Sequence, residues 1–313
     1  MNISSFDELI AQADDGDLNA MNKLHNLYYD NEYVFENFDK KSLEFYKGIV
    51  NNAQPYLLYH IAILEFFING DAISAFDYLD RSMQAKCSQA YYMMAIFINE
   101  NVFDYPSDYD TLMTDAMKMN NSNAFVDSGI ECDDDEVKVA FFEKAASLEN
   151  SYGIHKLGEF YYSINEFAMA GRYYEQSCTY DNKEGYFDLA MMHLNGKGYQ
   201  KNDKVAKQLL KKSIKFGNIQ AMTQMGNMYR ANQKYDKCKK YYKVAIKNND
   251  PVACYNLGNV YVEQNNIKSA IKFFILGAKL GNDDCAKMAL KYGVMTTMEM
   301  EDLQRFHEEF LVT

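Results

Sequence analysis

Tyr255-Asn256-Leu257-Gly258-Asn259-Val260-Tyr261 decides the fold, because its core pattern is not unique: Leu157-Gly158-Glu159-Phe160-Tyr161 and Met225-Gly226-Asn227-Met228-Tyr229 repeat it. Residues four apart share one face of a helix, so each copy sets a bulky aliphatic side chain and a tyrosine on a common stripe. With the first residue of the segment as anchor, degenerate copies fall at Leu24, Ile61, Met94, Phe125, Leu157, Leu189, Met225 and Leu257, 31 to 37 residues apart. A period in this range marks an array of supersecondary units rather than one closed core.

A second landmark fixes the other half of each unit. Sixteen or seventeen residues after each clean anchor comes a bulky pair: Phe141-Phe142, Tyr173-Tyr174, Tyr241-Tyr242 and Phe273-Phe274, with Tyr78-Leu79 at the same offset. The units at Leu24 and Leu189 carry theirs later, at Phe45-Tyr46 and Leu209-Leu210, which predicts insertions between their helices. Small residues stand four after the first member of the pair (Ser82, Ala145, Ser177, Ser213, Ala245, Gly277) and four before the anchor (Ala90, Gly153, Gly185, Ala221, Ala253). Two antiparallel helices per unit explain both: small residues let helices approach, and the aromatic pair fills the gap to the next unit. Gly217-Asn218, Asn248-Asn249-Asp250-Pro251 and Gly281-Asn282 punctuate the units as helix ends. Two units are poor: the one at Met94 has Pro106 near the start of its second helix, and the one at Phe125 lacks the glycine.

The termini read as caps. Ser5-Phe6-Asp7-Glu8 has capping-box spacing, Asp283 to Tyr292 imitates a ninth first helix, and a last helix is expected from Thr296 to about Leu311, with Glu301, Asp302, Glu308 and Glu309 facing outward. The expected architecture is all-α, a single α-solenoid of about eight antiparallel helix pairs: residues 1–19 as N-terminal cap, 20–282 as eight repeats, 283–313 as capping helices. Composition agrees. The 313 residues are 48% hydrophobic with 26 Tyr, 20 Phe and no Trp, enough to exclude disorder, while three Pro and 16 Gly are too few for a turn-rich β fold. There is no secretory signal pattern, no apolar run near the ~20 residues a membrane span needs and no clustered cysteine pattern among Cys87, Cys132, Cys178, Cys238, Cys254 and Cys285. These features predict a cytoplasmic, reduced protein without disulfides. The abundance of Asn, Lys, Tyr, Phe and Ile also suits an AT-rich genome such as some large DNA viruses have, in which case the compartment is the host cell's.

These residues resemble the tetratricopeptide superfamily and, within it, the Sel1-like repeats. Tyr255 to Tyr261, followed by Ala270, Phe274 and Gly277, carries the family's Leu-Gly-x-x-Tyr, Ala, Phe and small-residue positions; Leu189 to Gly217, with Asn195-Gly196-Lys197-Gly198-Tyr199 before Asp203 and Ala206, is similar to a Sel1-like unit with its longer, glycine-bearing loop. The resemblance implies a right-handed superhelix, first helices lining a concave groove, and peptide or protein binding rather than catalysis. Some Sel1-like proteins are hydrolases with paired cysteines in each repeat, a pattern the six scattered cysteines do not match.

Two surfaces are candidates. If first helices line a groove, its exposed positions lie about two before, two after and five after each anchor. That set includes Asn22, Asn26, Tyr59, Tyr92, Asn99, Asn123, His155, Tyr162, Phe187, Asn227, Arg230, Tyr255 and Asn259. Asn can donate to and accept from an extended peptide backbone, and Tyr gives rigid apolar contact with a polar tip; the chain is also rich in Asn and Tyr throughout. No Lys or Arg occupies the position two before an anchor, so the resemblance does not extend to domains that clamp a C-terminal carboxylate. The second surface comes from charge. The net −12 hides residues 197–247, with 14 basic and two acidic side chains, and residues 1–150, with 27 acidic and nine basic. Lys204, Lys207, Lys211 and Lys215, and Lys239, Lys240, Lys243 and Lys247, recur at helical spacing on second helices and are expected on the outer side. Such a block is a solvated face, a contact for an acidic protein or peptide, or one half of a head-to-tail contact between two copies. Nucleic acid is disfavoured by the dominance of Lys over Arg and the negative total charge.

The run Asp133-Asp134-Asp135-Glu136 lacks the alternation and glycine of a calcium loop and is expected to cap a helix. His25, His60, His155, His193 and His307 show no metal spacing, and no nucleophile elbow or phosphate loop occurs. The sequence therefore predicts no enzyme, no cofactor and no metal, but a protein or peptide scaffold; a self-assembling structural component is the alternative, ahead of a Sel1-like hydrolase.

Overall fold

The computed structural model describes residues 3–15, 17, 20, 40–50, 54–103 and 105–292. Regular structure among them is entirely helical, and the chain divides into two compact units, Met1–Asn165 and Glu166–Thr313. Unit 1 opens with α1 (Ile3–Asp14) and α2 (Lys40–Ile49) and continues with three helix pairs: α3 (Pro55–Leu64) with α4 (Ala72–Gln84), α5 (Ser88–Asn99) with α6 (Tyr109–Lys118), and α7 (Ser122–Glu131) with α8 (Asp135–Ser147). It closes on α9 (Ser151–Ser163). Unit 2 begins with α10 (Phe167–Thr179) and holds three further pairs. These are α11 (Lys183–Asn195) with α12 (Asp203–Lys215), α13 (Ile219–Ala231) with α14 (Tyr235–Lys247), and α15 (Pro251–Glu263) with α16 (Ile267–Lys279), followed by α17 (Asp283–Lys291). The repeats expected from spacing are thus helix pairs. α17 packs on α16 in the place of the additional first helix expected over Asp283 to Tyr292; the first helix expected around Leu24 and the final helix from Thr296 lie outside the described residues.

The joint between pairs has one construction throughout. Each second helix ends on a left-handed residue (Lys86, Asn120, Glu149, Asp181, Gly217, Asn249, Gly281), and the next residue caps the following first helix. Asn150 Oδ1 accepts from Tyr152 N and Gly153 N at 3.0 and 2.9 Å, Asn182 from Gly185 N at 2.7 Å, Asn218 from Ala221 N at 2.9 Å, and Asp250 from Val252 N at 2.8 Å. Left-handed backbone returns the chain, and the Asn or Asp satisfies amides that a new helix leaves open. Asp134 performs the same service for α8, accepting from Glu136 N and Val137 N, so the acidic run caps a helix as its spacing predicts. Cys87 and Gln54 are exceptions without a side-chain cap. For α3 the missing cap comes from α1, whose Asp14 accepts from Tyr56 N at 2.7 Å while Leu9, Ile10 and Ala13 pack into the core.

Glycine sets how closely helices approach. A Cβ on Gly258 would strike the Phe274 ring, and one on Gly226 the Tyr242 ring. Sequence reading denied a glycine to the unit at Phe125, and here the structure corrects the register. The cap is Asn121 and the small residue is Ala124, which makes Ser128 the anchor and Gly129 its glycine; a Cβ on Gly129 would lie 2.6 Å from the Phe142 ring. That repeat is shorter than its neighbours because its first helix ends one turn early, at Glu131. Phe125 matches the anchor spacing because only the boundary at Asn121 is displaced, lying 34 residues after Cys87 and 29 before Asn150, so the flanking anchors keep their regular interval. The weak unit at Met94 is intact: α6 begins three residues after Pro106, capped by Asp108, and buries Leu112, Met113 and Ala116.

The long loop of the unit at Leu189 folds against its own neighbourhood. Gly196 and Gly198 are left-handed, and a Cβ on Gly198 would meet the Phe167 carbonyl oxygen at 2.8 Å. Tyr199 packs on His193 (4.5 Å between ring centres), donates to Glu175 at 2.7 Å, and covers Gly171. All six cysteines are free thiols.

Candidate functional site

The first-helix positions chosen for a groove separate into three kinds. Asn22 and Asn26 lie outside the described residues. Tyr59, Tyr92, Asn123 and His155 are buried, so they are not the exposed contacts expected of them. At two repeats the position two before the anchor is tied to the following first helix rather than left to solvent. Tyr92 donates to Asp127 at 2.7 Å, and Thr223 donates to Asp250, the cap of the following helix. For Asn123 the cause is the shifted register: it sits in the first turn of α7, where Asn150 Nδ2 donates to its Oδ1 at 2.9 Å. Spacing alone identifies a face but not how much of it the next repeat covers.

The remaining candidates keep solvent access. In unit 1, Asn99 is exposed and Tyr162 half-buried; in unit 2, Phe187, Asn227, Arg230, Tyr255 and Asn259 are half-buried. Asn227 and Asn259 occupy the same place in successive repeats but differ in chemistry. Tyr242 donates to Asn227 Oδ1 at 2.6 Å, and Asn227 Nδ2 donates to Gln224 at 3.1 Å. At the next repeat the ring is Phe274, which has no hydroxyl, and Asn259 makes no side-chain hydrogen bond among the described residues. Arg230 reaches across to Glu263, with Nε 3.0 Å from Oε1, and that partner raises its pKa. On its first helices unit 2 therefore presents a braced cation, one engaged amide and one amide without a side-chain hydrogen bond among the described residues, with Tyr255 one turn before Asn259 on α15 and Phe187 on α11.

The second helices of unit 2 carry the lysines. Lys204, Lys211, Lys215, Lys240, Lys243 and Lys247 are exposed and Lys207 and Lys239 half-buried, and among the described residues none of the eight is ion-paired. Several lie over aromatic rings: Lys207 is 4.5 Å from the Tyr229 ring centre, Lys239 4.7 Å from that of Tyr261, and Lys215 5.3 Å from that of Phe216. Those rings stack in turn, Tyr229 on Tyr241 at 5.4 Å and Tyr261 on Phe273 at 5.6 Å. Cation–π contact holds an ammonium in place without neutralising it. The face keeps its positive charge.

Residues 219–250 and 251–282 match the tetratricopeptide repeat family model. These segments begin with the first residues of α13 and α15. The fold is similar to that of a protective antigen of uropathogenic Escherichia coli displaying an SLR fold, at 17% identity and a TM-score of 0.56, covering 95% of this chain and 69% of that one. It is also similar to a Sel1 repeat protein from Oxalobacter formigenes (17% identity, TM-score 0.58, 71% of this chain and 97% of that one) and to yeast Tom70 (19%, 0.52, 92% and 64%). The resemblance carried by the Leu-Gly-x-x-Tyr segments is thus found again in the family match and in the fold. No described helix is long and apolar enough to cross a membrane.

Proposed function

We propose that this chain is a non-enzymatic interaction scaffold that takes a protein or peptide segment along the first-helix face of unit 2. The observation that carries this reading is Asn259, half-buried and without a side-chain hydrogen bond among the described residues, one turn after Tyr255 on α15 and in the repeat position that Asn227 holds on α13, the helix whose Arg230 is braced by Glu263 of α15. An amide that both donates and accepts can bridge a peptide unit, while Tyr255 and Phe187 supply apolar contact of low entropic cost. Helix-pair repeats suit this task because a rigid array presents side chains at fixed intervals. The test is affinity purification of the full chain from its native cell, with mass spectrometry, beside the Asn259→Ala/Tyr255→Ala variant. Loss of the same partners from the variant is expected; unchanged recovery overturns the reading.

A self-assembling role is the second reading, favoured by the 14 basic against two acidic side chains of residues 197–247 and the acidic excess of residues 1–150. It requires association that weakens as salt rises, which light scattering measures directly.

A further inference from the structure

The lysine face of unit 2 is not uniformly polar. Beneath it lies an open pocket of about 360 Å³ between α12, α13 and α14. Ile214, Met222 and Val244 give it an apolar lining, Tyr229 and Tyr241 are stacked along it, and Lys237 and Lys240 belong to its rim. Lys207 lies 4.5 Å from the Tyr229 ring centre and Lys237 5.8 Å from the same centre. We propose that this pocket binds an acidic peptide segment, seating one large apolar side chain on the Ile214–Met222–Val244 surface while flanking carboxylates meet Lys237, Lys240 and Lys207.

Three observations converge on that occupant. The volume is at the lower end for ligand sites, which suits one or two side chains rather than a large cofactor. The apolar lining is left open, with Val244 40% exposed, on a protein surface that otherwise gives these helices to lysine. The surrounding charge is of one sign: Lys207 foremost by hydrogen bonding, with Lys237 and Lys211, holds the Tyr229 hydroxyl below the ordinary tyrosine range. Lysines continue past the pocket along α12 and α14, at Lys211, Lys243 and Lys247, so a partner with several carboxylates is matched over more than one contact. This site shares no residue with the reading built on Asn259, so either can fail alone.

The probe is a fluorescein-labelled peptide with a single Phe within a run of Glu and Asp, followed by anisotropy on the full chain at moderate salt. Replacing the Phe with Ala should weaken binding about tenfold, the scale of one buried apolar side chain. Val244→Lys should weaken it similarly although it adds positive charge, and Lys237→Gln/Lys240→Gln should do so through the rim, with helix content unchanged by circular dichroism. Equal binding of the Ala peptide together with tighter binding by Val244→Lys would reduce the site to diffuse lysine attraction and overturn the proposal. So would no binding up to about 1 mM. Co-sedimentation with phosphatidylserine vesicles in place of peptide binding, or self-association abolished by the Lys237→Gln/Lys240→Gln change, would assign the pocket to a membrane surface or to a second copy, and each overturns the peptide.

Discussion

Gly258 shows how a single hydrogen atom sets the distance between two helices. Phe274 is fully buried, so its ring has no room to retreat from a methyl group. Gly258→Ala gains up to about 1 kcal/mol of helix propensity but forces overpacking that costs about 1–3 kcal/mol. The expected outcome is net destabilisation in urea denaturation, repeated by Gly129→Ala at the corrected register. His60 gives a second prediction at this scale. Burial beside Tyr46 drives its imidazole down to about 3. The folded chain therefore binds fewer protons than the unfolded one, and its stability falls as pH drops below about 6.5 towards 3. Asp14 and Asp127, raised by burial, work the other way, stabilising the fold as pH falls towards their unfolded value. Thermal melts at pH 7 and 5 should show a larger loss for the native chain than for His60→Phe; equal losses would remove His60 as the cause.

At the scale of elements, the joints between repeats are stereotyped while the turns inside them vary. Glu149 adopts left-handed backbone at φ 59° at an exposed site, a conformation costing a side-chain-bearing residue about 1–2 kcal/mol. Glycine there relieves that cost less its own larger unfolded-state entropy, so Glu149→Gly should stabilise the chain by about 0.5–1 kcal/mol. One residue later, Asn150→Ala should cost about 1 kcal/mol or more, because the same amide also holds Ser122 and Asn123. Both shifts are measurable as denaturant midpoints. The helix pairs could be read from sequence because the anchor, the glycine and the aromatic pair are all forced by close packing. The exposed face could not, because burial of Tyr92 depends on Asp127 in the next repeat, and that repeat's register was itself concealed by a shortened helix. Asn121 and Ala124, one joint residue and one small residue, carried the signal that would have placed it.

For the molecule as a whole, the decisive quantity is the distribution of charge. Residues 197–247 gather 14 basic side chains against two acidic ones, and none of the eight lysines named on α12 and α14 is ion-paired among the described residues. Their mutual repulsion is screened as the Debye length shrinks from about 30 Å at 0.01 M to about 8 Å at 0.15 M salt. The melting transition of unit 2 should therefore rise with salt, and a charge-reducing change such as Lys211→Gln/Lys243→Gln should flatten that rise. The same unit repeats one contact geometry at an interval of 32 residues: Lys207 on Tyr229 on Tyr241, then Lys239 on Tyr261 on Phe273. Its joints repeat at that interval too, Gly217-Asn218 and Asn249-Asp250. Excising residues 219–250 would leave Asn218 as the cap before Pro251 and bring Lys207 to Tyr261, with every junction already paired to its complement. Such parts are interchangeable, and a lineage can lengthen or shorten this array by whole modules without leaving a seam.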